Sequence, residues 1–278
     1  MEFTKAKYDA AGAVIGYETQ TVTEYIARDG YHIYAFRGIN AAEMSSLVTA
    51  TLYAERNGAL FSSSCVNYSV LTYATNLLSK TTDENLKTLL VDMLNYGAAA
   101  QRYFGYNLAA PANGNLTQEQ SAWGTQDMPA VTSCCEIVPQ DNATVRFKSA
   151  SLLLEEKVAI RYYLDLTAYV GSAEDLELHV SYRDLNGAEQ TTVIDGSAGT
   201  VQQGLLRVSF DSLNAAQMRT VCSASVVSKS TGQQISDTLI YSIESYVARV
   251  PADKDTDLFE LLIAMMQYGD STAAYVVG

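Results

Sequence analysis

The sequence predicts an α+β protein made of two homologous modules, each an Ig-like antiparallel β-sandwich followed by a two-helix hairpin. Three observations carry this reading. First, "LKTLLVDMLNYG" at 86–97 returns as "LFELLIAMMQYG" at 258–269, with six of twelve positions identical. Second, three upstream matches keep the same order: "YSVLTYA" (68–74) with "YSIESYV" (241–247), "INAAEM" (39–44) with "LNAAQM" (213–218), and "YDAAG" (8–12) with "YRDLNG" (182–187). The offsets drift through 172, 173, 174 and 175, as single-residue loop insertions produce. Third, strand-like runs precede the matched helices, and the hydrophobic period then changes from two to 3.6.

Module 1 is expected over 1–106, a linker over 107–144 and module 2 over 145–278. The linker holds three of the four prolines and many small polar residues, with a short strand at "AVTSCCEIV". Module 2 opens with "VRFKSASLLLEEKVAIRYYLDLTAYV" (145–170), which has no counterpart in module 1, because Met1 stands where Leu176 stands in module 2. Module 1 is therefore expected to lack its first two strands, to come from a larger chain, and to have its exposed sheet edge completed by a neighbouring segment.

In module 2, "SLLLEE" and "VAIRYYLDL" are rich in strand-forming residues. "LELHVSY" alternates and runs into Asn186-Gly187, a hairpin signal, with "TTVID" returning. "LLRVSF" alternates again, and "NAAQM" is a helical turn with Asn214 as N-cap. "VCSASVVSK", a turn at "STG" and "QISDTLI" complete about seven strands, enough for a sandwich. Apolar residues then recur at i, i+3, i+4, i+7: Val70, Tyr73, Ala74, Leu77 in one copy and Ile243, Tyr246, Val247, Val250 in the other. The second helix carries Leu86, Leu89, Leu90, Met93 and Leu94, matched by Leu258, Leu261, Leu262, Met265 and Met266. Gly97 lies four residues beyond Met93, on that seam. A helical glycine costs about 1 kcal/mol relative to alanine, so its repetition predicts a close neighbouring backbone, with Ala98–Ala100 extending the small surface. The alternative is that Gly97 and Gly269 end or kink their helices.

"ASLLLEEKVAIRYYLDL", "NAAQM", "YSIESYV" and "MLNYGAAAQRYFGYN" together resemble a module of large cell-surface and secreted proteins of gut Firmicutes, an uncharacterised family often placed near Ig-like or carbohydrate-active modules. Module 2 departs from it at "GDSTAAYVVG". The resemblance implies an extracellular or cell-surface location in a longer chain and supplies no catalytic residues.

The formal net charge is −13, and the eighteen basic residues are scattered, which argues against nucleic acid. No run of eighteen apolar residues is present, so no membrane insertion is expected, and "MEFTKAKYDAAG" does not read as a signal peptide. Cys65, Cys134, Cys135 and Cys222 read as free thiols. His32 and His179 sit in different strands at non-equivalent repeat positions. Asp253, Asp255 and Asp257 begin like a calcium loop, but Leu258 and Ala264 occupy the glycine and glutamate positions, so capping is expected there, as at Asp83 and Glu84. Glu155 and Glu156 point to opposite strand faces, so they cannot flank one glycosidic bond, and Asp165 has no evident raised pKa. Tyr68, Tyr73, Tyr96, Tyr241, Tyr246 and Tyr268 read as structural, Trp123 as exposed, and Lys148 and Lys157 as candidates for an isopeptide crosslink. No catalytic, cofactor or metal residue is expected. The expected function is a non-catalytic surface module pair serving as spacer, scaffold or adhesion unit, its partners being neighbouring modules and a glycan or protein ligand. The alternative is a carbohydrate-binding module pair attached to a glycan-degrading enzyme or adhesin.

Overall fold

The computed structural model describes residues 1–63, 66–155 and 157–277. It is an α+β chain of mostly antiparallel sheets that divides into two compact units, Met1–Gln126 and Asp127–Gly278.

In unit 1 the strands are β1 (Glu2–Tyr8), β2 (Val14–Thr21), β3 (Ile26–Arg28), β4 (Tyr31–Ile33), β5 (Val48–Thr51), β6 (Tyr53–Arg56), β7 (Ala59–Ser62) and β8 (Val66–Tyr68). One sheet has the order β2-β1-β5-β8, while β3-β4 and β6-β7 are separate hairpins. The β1–β2 turn needs a left-handed residue at Gly12, φ +84°, and is tied by the Ala13 amide donating to Asp9 Oδ1 at 2.8 Å. A helical turn at Ala41–Glu43 follows β4, closed reciprocally by Asn40 and Glu43. Helices α1 (Val70–Leu78), α2 (Glu84–Phe104) and the short α3 (Gln118–Ser121) complete the unit. Asp83 caps α2 by accepting from the Leu86 amide, and Gly105 ends it at φ +62°. Ala74, Leu78, Leu90, Val91 and Leu94 form the core beneath the helices.

Unit 2 contains β9 (Glu136–Val138), β10 (Arg146–Leu153), β11 (Ala159–Asp165), β12 (Leu176–Arg183), β13 (Glu189–Asp195), β14 (Thr200–Gln202), β15 (Leu205–Phe210), β16 (Cys222–Ser228) and β17 (Thr238–Tyr241), then α4 (Ile243–Val247) and α5 (Thr256–Val277). Two sheets form, β10-β11-β15-β14 and β13-β12-β16-β17-β9. Their buried faces meet where the Tyr182 and Phe210 rings lie 5.6 Å apart and where Tyr241 Oη donates to the Ala150 carbonyl. Ile160, Tyr162, Leu164, Leu178, Val180, Leu206 and Val208 fill the space between them. A helical turn at Ala215–Gln217 precedes β16, with Gln217 accepting from the Asn214 amide.

Both long helices continue past the repeated glycine. A Cβ on Gly97 would lie 2.8 Å from Met44 Sδ, 3.0 Å from Ala112 Cβ and 3.2 Å from the Ala41 carbonyl oxygen. A Cβ on Gly269 would lie 2.7 Å from Met218 Cγ and 3.1 Å from the Ala215 carbonyl oxygen. Close approach, not helix termination, therefore explains both glycines.

Residues 107–144, expected as a linker, are not bare chain. Residues 107–126 lie in unit 1 and 127–144 in unit 2. The buried Gln101 amide holds the first part: its Nε2 donates to the Asn107 and Ala110 carbonyls, and its Oε1 accepts from the Ala112 amide at 2.7 Å. The second part supplies β9, which pairs with β17. The "QISDTLI" strand is shortened to β17, and β14 is an additional strand paired with the start of β15. Helix α4 spans only five residues, because Pro251 ahead disfavours helical backbone at Val250.

Candidate functional site

Most of the residues singled out for chemistry make local contacts. His32, on β4, stacks on Tyr25 with centroids 4.1 Å apart. His179, on β12 of the other unit, faces Glu177 at 3.1 Å. Asp255 caps α5 by accepting from the Leu258 amide at 3.0 Å, and Asp257 lies in the first turn. Asp165 accepts from the Thr167 hydroxyl and amide and pairs with Lys148 at 3.0 Å, which together hold its pKa down at about 2. A general acid needs the opposite shift. Lys157 pairs with Asp211 on the surface. The Lys148 and Lys157 side chains are both exposed, each held to an aspartate by an ion pair. Glu156 and Cys65 lie outside the described residues.

Cys134 Sγ lies 3.0 Å from Ser245 Oγ, Cys135 is exposed and Cys222 is buried. Burial, with a smaller contribution from Cys134, pushes the Cys222 thiol up to about 12. Among the described residues there is no group of three or more His, Cys, Asp or Glu placed to hold a metal ion. Among them, too, no helix is long and apolar enough to cross a membrane.

Two expectations about aromatics are corrected. Trp123 is half-buried: Lys87 Nζ sits 4.8 Å above its ring and its carbonyl accepts from Thr88. Tyr68 and Tyr73, read as structural, are 41% and 54% exposed, whereas Tyr96 and Tyr241 are buried as expected.

Those two tyrosines lead to the surface feature of greatest interest. On one face of the β2-β1-β5-β8 sheet lies a groove of about 300 Å³ lined by Phe3, Phe36, Val48, Val66, Tyr68 and Tyr73. Alternation along β1, β5 and β8 turns these apolar side chains to one face. A shallower cleft, bordered by Arg28, Tyr31, His32 and Tyr34, shares Phe3 and Ala50 with it, so the two flank one patch. Exposed apolar patches of this kind mark places where proteins or ligands bind.

Sequence reasoning missed two polar clusters that brace the units. In unit 1, the buried Lys5 ammonium reaches Glu43 at 2.7 Å and the Gly38 carbonyl at 3.0 Å. In unit 2, Arg219 bridges Asp270 on α5 and Glu244 on α4 and donates to the Ala130 carbonyl. Hydrogen bonding to Asp270 is the leading reason that the Arg219 pKa is raised further. The available signal was position: Arg219 directly follows the repeated "NAAQM", where the other copy has Ser45.

The chain matches no protein-family model, no curated protein and no solved structure.

Proposed function

We propose that the chain is two copies of one surface module, an Ig-like β-sandwich with a helical pair whose second sheet is complete only in unit 2, and that it acts without catalysis as a spacer, scaffold or adhesion unit of a larger extracellular protein. The joint at the two glycines carries the two-copy reading. Gly97 faces Met44 and the Ala41 carbonyl; Gly269 faces Met218 and the Ala215 carbonyl. One offset, 172, relates the glycines, and one offset, 174, relates their partners. The strand orders β2-β1-β5-β8 and β13-β12-β16-β17 correspond as well. The extracellular placement rests on the resemblance of "MLNYGAAAQRYF" and its companions to bacterial surface modules.

The direction of three carboxylate shifts speaks against those groups as general acids. Asp165, Asp175 and Asp195 are all lowered by hydrogen bonds, to Thr167, Tyr169 and Lys229 first. Groups so stabilised as anions are poor proton donors near neutral pH. A turnover panel of polysaccharides and peptides tests the reading: no product above a denatured control is expected, and reproducible product release overturns it.

One observation favours carbohydrate binding as the second reading. Tyr31 is 74% exposed on β4, beside His32, Tyr34 and Arg28 at the shallow cleft, and exposed aromatic faces suit sugar rings. A glycan array decides: binding that Tyr31→Ala abolishes replaces the spacer reading with this one.

A further inference from the structure

The second unit contains an occupied version of the patch that lies open in the first. Hairpin β3–β4 pairs Ile26 with Ile33, Ala27 with His32 and Arg28 with Tyr31. Hairpin β14–β15 pairs Thr200 with Arg207, Val201 with Leu206 and Gln202 with Leu205, the same register displaced by 174. The turns agree too: Asp29 and Gly30 have φ of 50° and 80°, Gln203 and Gly204 of 52° and 75°. Strands β5–β8 pair Val48 with Tyr68 and Ala50 with Val66; β16–β17 pair Cys222 with Tyr241 and Ala224 with Leu239. The equivalence therefore holds at both borders of the patch.

What differs is the cover. In unit 2 the far edge of β15 pairs with β11 over six residues, from Ile160↔Phe210 to Asp165↔Leu205. β14 reaches only Leu205 to Arg207, so the extended conformation of Val208–Phe210 depends on β11. In unit 1 β4 stops at Ile33, and among the described residues Tyr34, Ala35 and Phe36 have no ladder partner. Side-chain burial follows the same division. Leu239 and Tyr241 are 1% and 0% exposed under the β10–β11 hairpin; Val66 and Tyr68, their equivalents, are 60% and 41% exposed. Where Phe147, Ile160, Tyr162 and Leu164 fill unit 2, unit 1 has its 300 Å³ groove.

We propose that the open sheet face of unit 1 is a receptor for a β-hairpin with the chemistry of β10–β11. The hairpin adds antiparallel to the free edge of β4 and inserts a row of large apolar side chains into the groove. The chemistry of the ligand is given by β10–β11: one strand with Ile, Tyr and Leu at alternate inward positions, set opposite Phe36, Tyr34 and His32, and a second strand with an inward aromatic. Main-chain pairing supplies a general attraction, and the side chains select the register. This rests on the two-copy reading, and it makes unit 1 an assembly point where unit 2 is closed.

The probe is a labelled peptide of residues 144–167 of this chain, titrated against the intact chain by fluorescence anisotropy. Saturable binding is expected. It should weaken by about ten-fold or more with Val66→Lys in the chain or with Tyr162→Asp in the peptide, as loss of a central apolar anchor does. Val66 is exposed, so the chain variant should keep its far-ultraviolet dichroism. Val193→Lys, in β13 of unit 2, should bind as the parent does. A second arm guards against a peptide that does not form a hairpin: the same residues are fused ahead of Met1 through a Gly/Ser linker. Hydrogen exchange should then slow at residues 34–36 and 66–68. No saturation together with unchanged exchange overturns the proposal, as does binding indifferent to Val66→Lys. A chain dimer dispersed by Val66→Lys but not by the peptide also overturns it, in favour of a second copy as occupant. None of these failures bears on substitutions at Gly97 and Gly269, which probe the two-copy joint, so the absence of a hairpin site and the failure of the two-copy reading remain separate results.

Discussion

Gly97→Ala places a methyl group where three atoms already stand. The Met44 sulfur, 2.8 Å from the new carbon, lies on a flexible side chain and can move. Ala112 Cβ at 3.0 Å and the Ala41 carbonyl oxygen at 3.2 Å cannot move without the backbone. The helix itself gains about 1 kcal/mol when glycine becomes alanine. Overpacking costs about 1–3 kcal/mol, so the net effect is a loss of about 0–2 kcal/mol. Gly97→Leu brings three more carbons into the same space and should lose above about 3 kcal/mol. The only tryptophan, Trp123, is in unit 1 and packs against α2, so its fluorescence in a denaturant titration reports that unit alone. At about 3–5 °C per kcal/mol for a unit of this size, calorimetry should find a small shift for alanine and a large one for leucine. Gly269→Ala should cost more than Gly97→Ala, because Met218 Cγ and Cβ, at 2.7 and 3.0 Å, are not the far end of a side chain. A gain of about 1 kcal/mol for Gly97→Ala, as at an exposed helical glycine, would refute the close-approach argument, as would equal losses for alanine and leucine.

Gln101→Leu leaves the Ala112 amide and the Asn107 and Ala110 carbonyls without their partner, and should destabilise unit 1 by about 2–4 kcal/mol in the same titration. Asp165 has a folded-state pKa of about 2 against 3.8 for the free group, so its contribution to stability is present above pH 3.8 and is lost as pH falls through about 2. Asp165→Asn should therefore lower stability at neutral pH and flatten its acid dependence between those values, as followed by circular dichroism. At pH 8 a disulfide-exchange reagent should label the exposed Cys135 and spare Cys222, which is buried with a pKa of about 12, until unit 2 unfolds.

The helices were legible because their signals are local. Leu86, Leu90 and Leu94 mark one face without reference to anything else, and Asp83 and Asp255 cap by contacts to residues three positions away. The hairpin at Asn186-Gly187 was legible for the same reason, with Gly187 at φ +78°. β14 was not, and of the strand expected over "AVTSCCEIV" only the last three residues, β9, form one. Each has three exposed residues, and each is a strand only because a neighbour offers an edge: β17 to "EIV" and β15 to "TVQ". Tyr68 shows the same limit at the level of burial. On the two-copy reading it corresponds to Tyr241, but a repeat predicts an equal environment only when the covering element is repeated as well, and β10–β11 is present in unit 2 alone. On that reading the exposed patch is implicit in the unmatched residues 145–170, while its groove and free β4 edge arise from pairings between strands distant in sequence.

On the two-copy reading, the residues after each glycine make a further point. Both units must hold the helical turn before the third core strand against the long helix, and they do so with different chemistry. In unit 1, Ser45 follows the turn. It accepts from Gln101 at 3.2 Å and from Asn107 at 3.1 Å, so neutral hydrogen bonds join turn, helix and the 107–112 segment. In unit 2 the equivalent position is Arg219, and the position matching Ala98 is Asp270. Arg219 Nε and Nη2 donate to the two Asp270 oxygens at 2.6 and 2.8 Å, a forked charge-assisted pair. "GAAAQRYF" and "GDSTAAYV" therefore diverge because each is one half of a fastening whose other half lies in the turn. Exchanging one half alone sets an arginine against alanines or leaves Asp270 facing a serine. Ser45→Arg should therefore destabilise unit 1, and Ala98→Asp introduced with it should restore part of the loss. Simple additivity of the two changes in a double-mutant cycle would show that the matched positions do not form one joint.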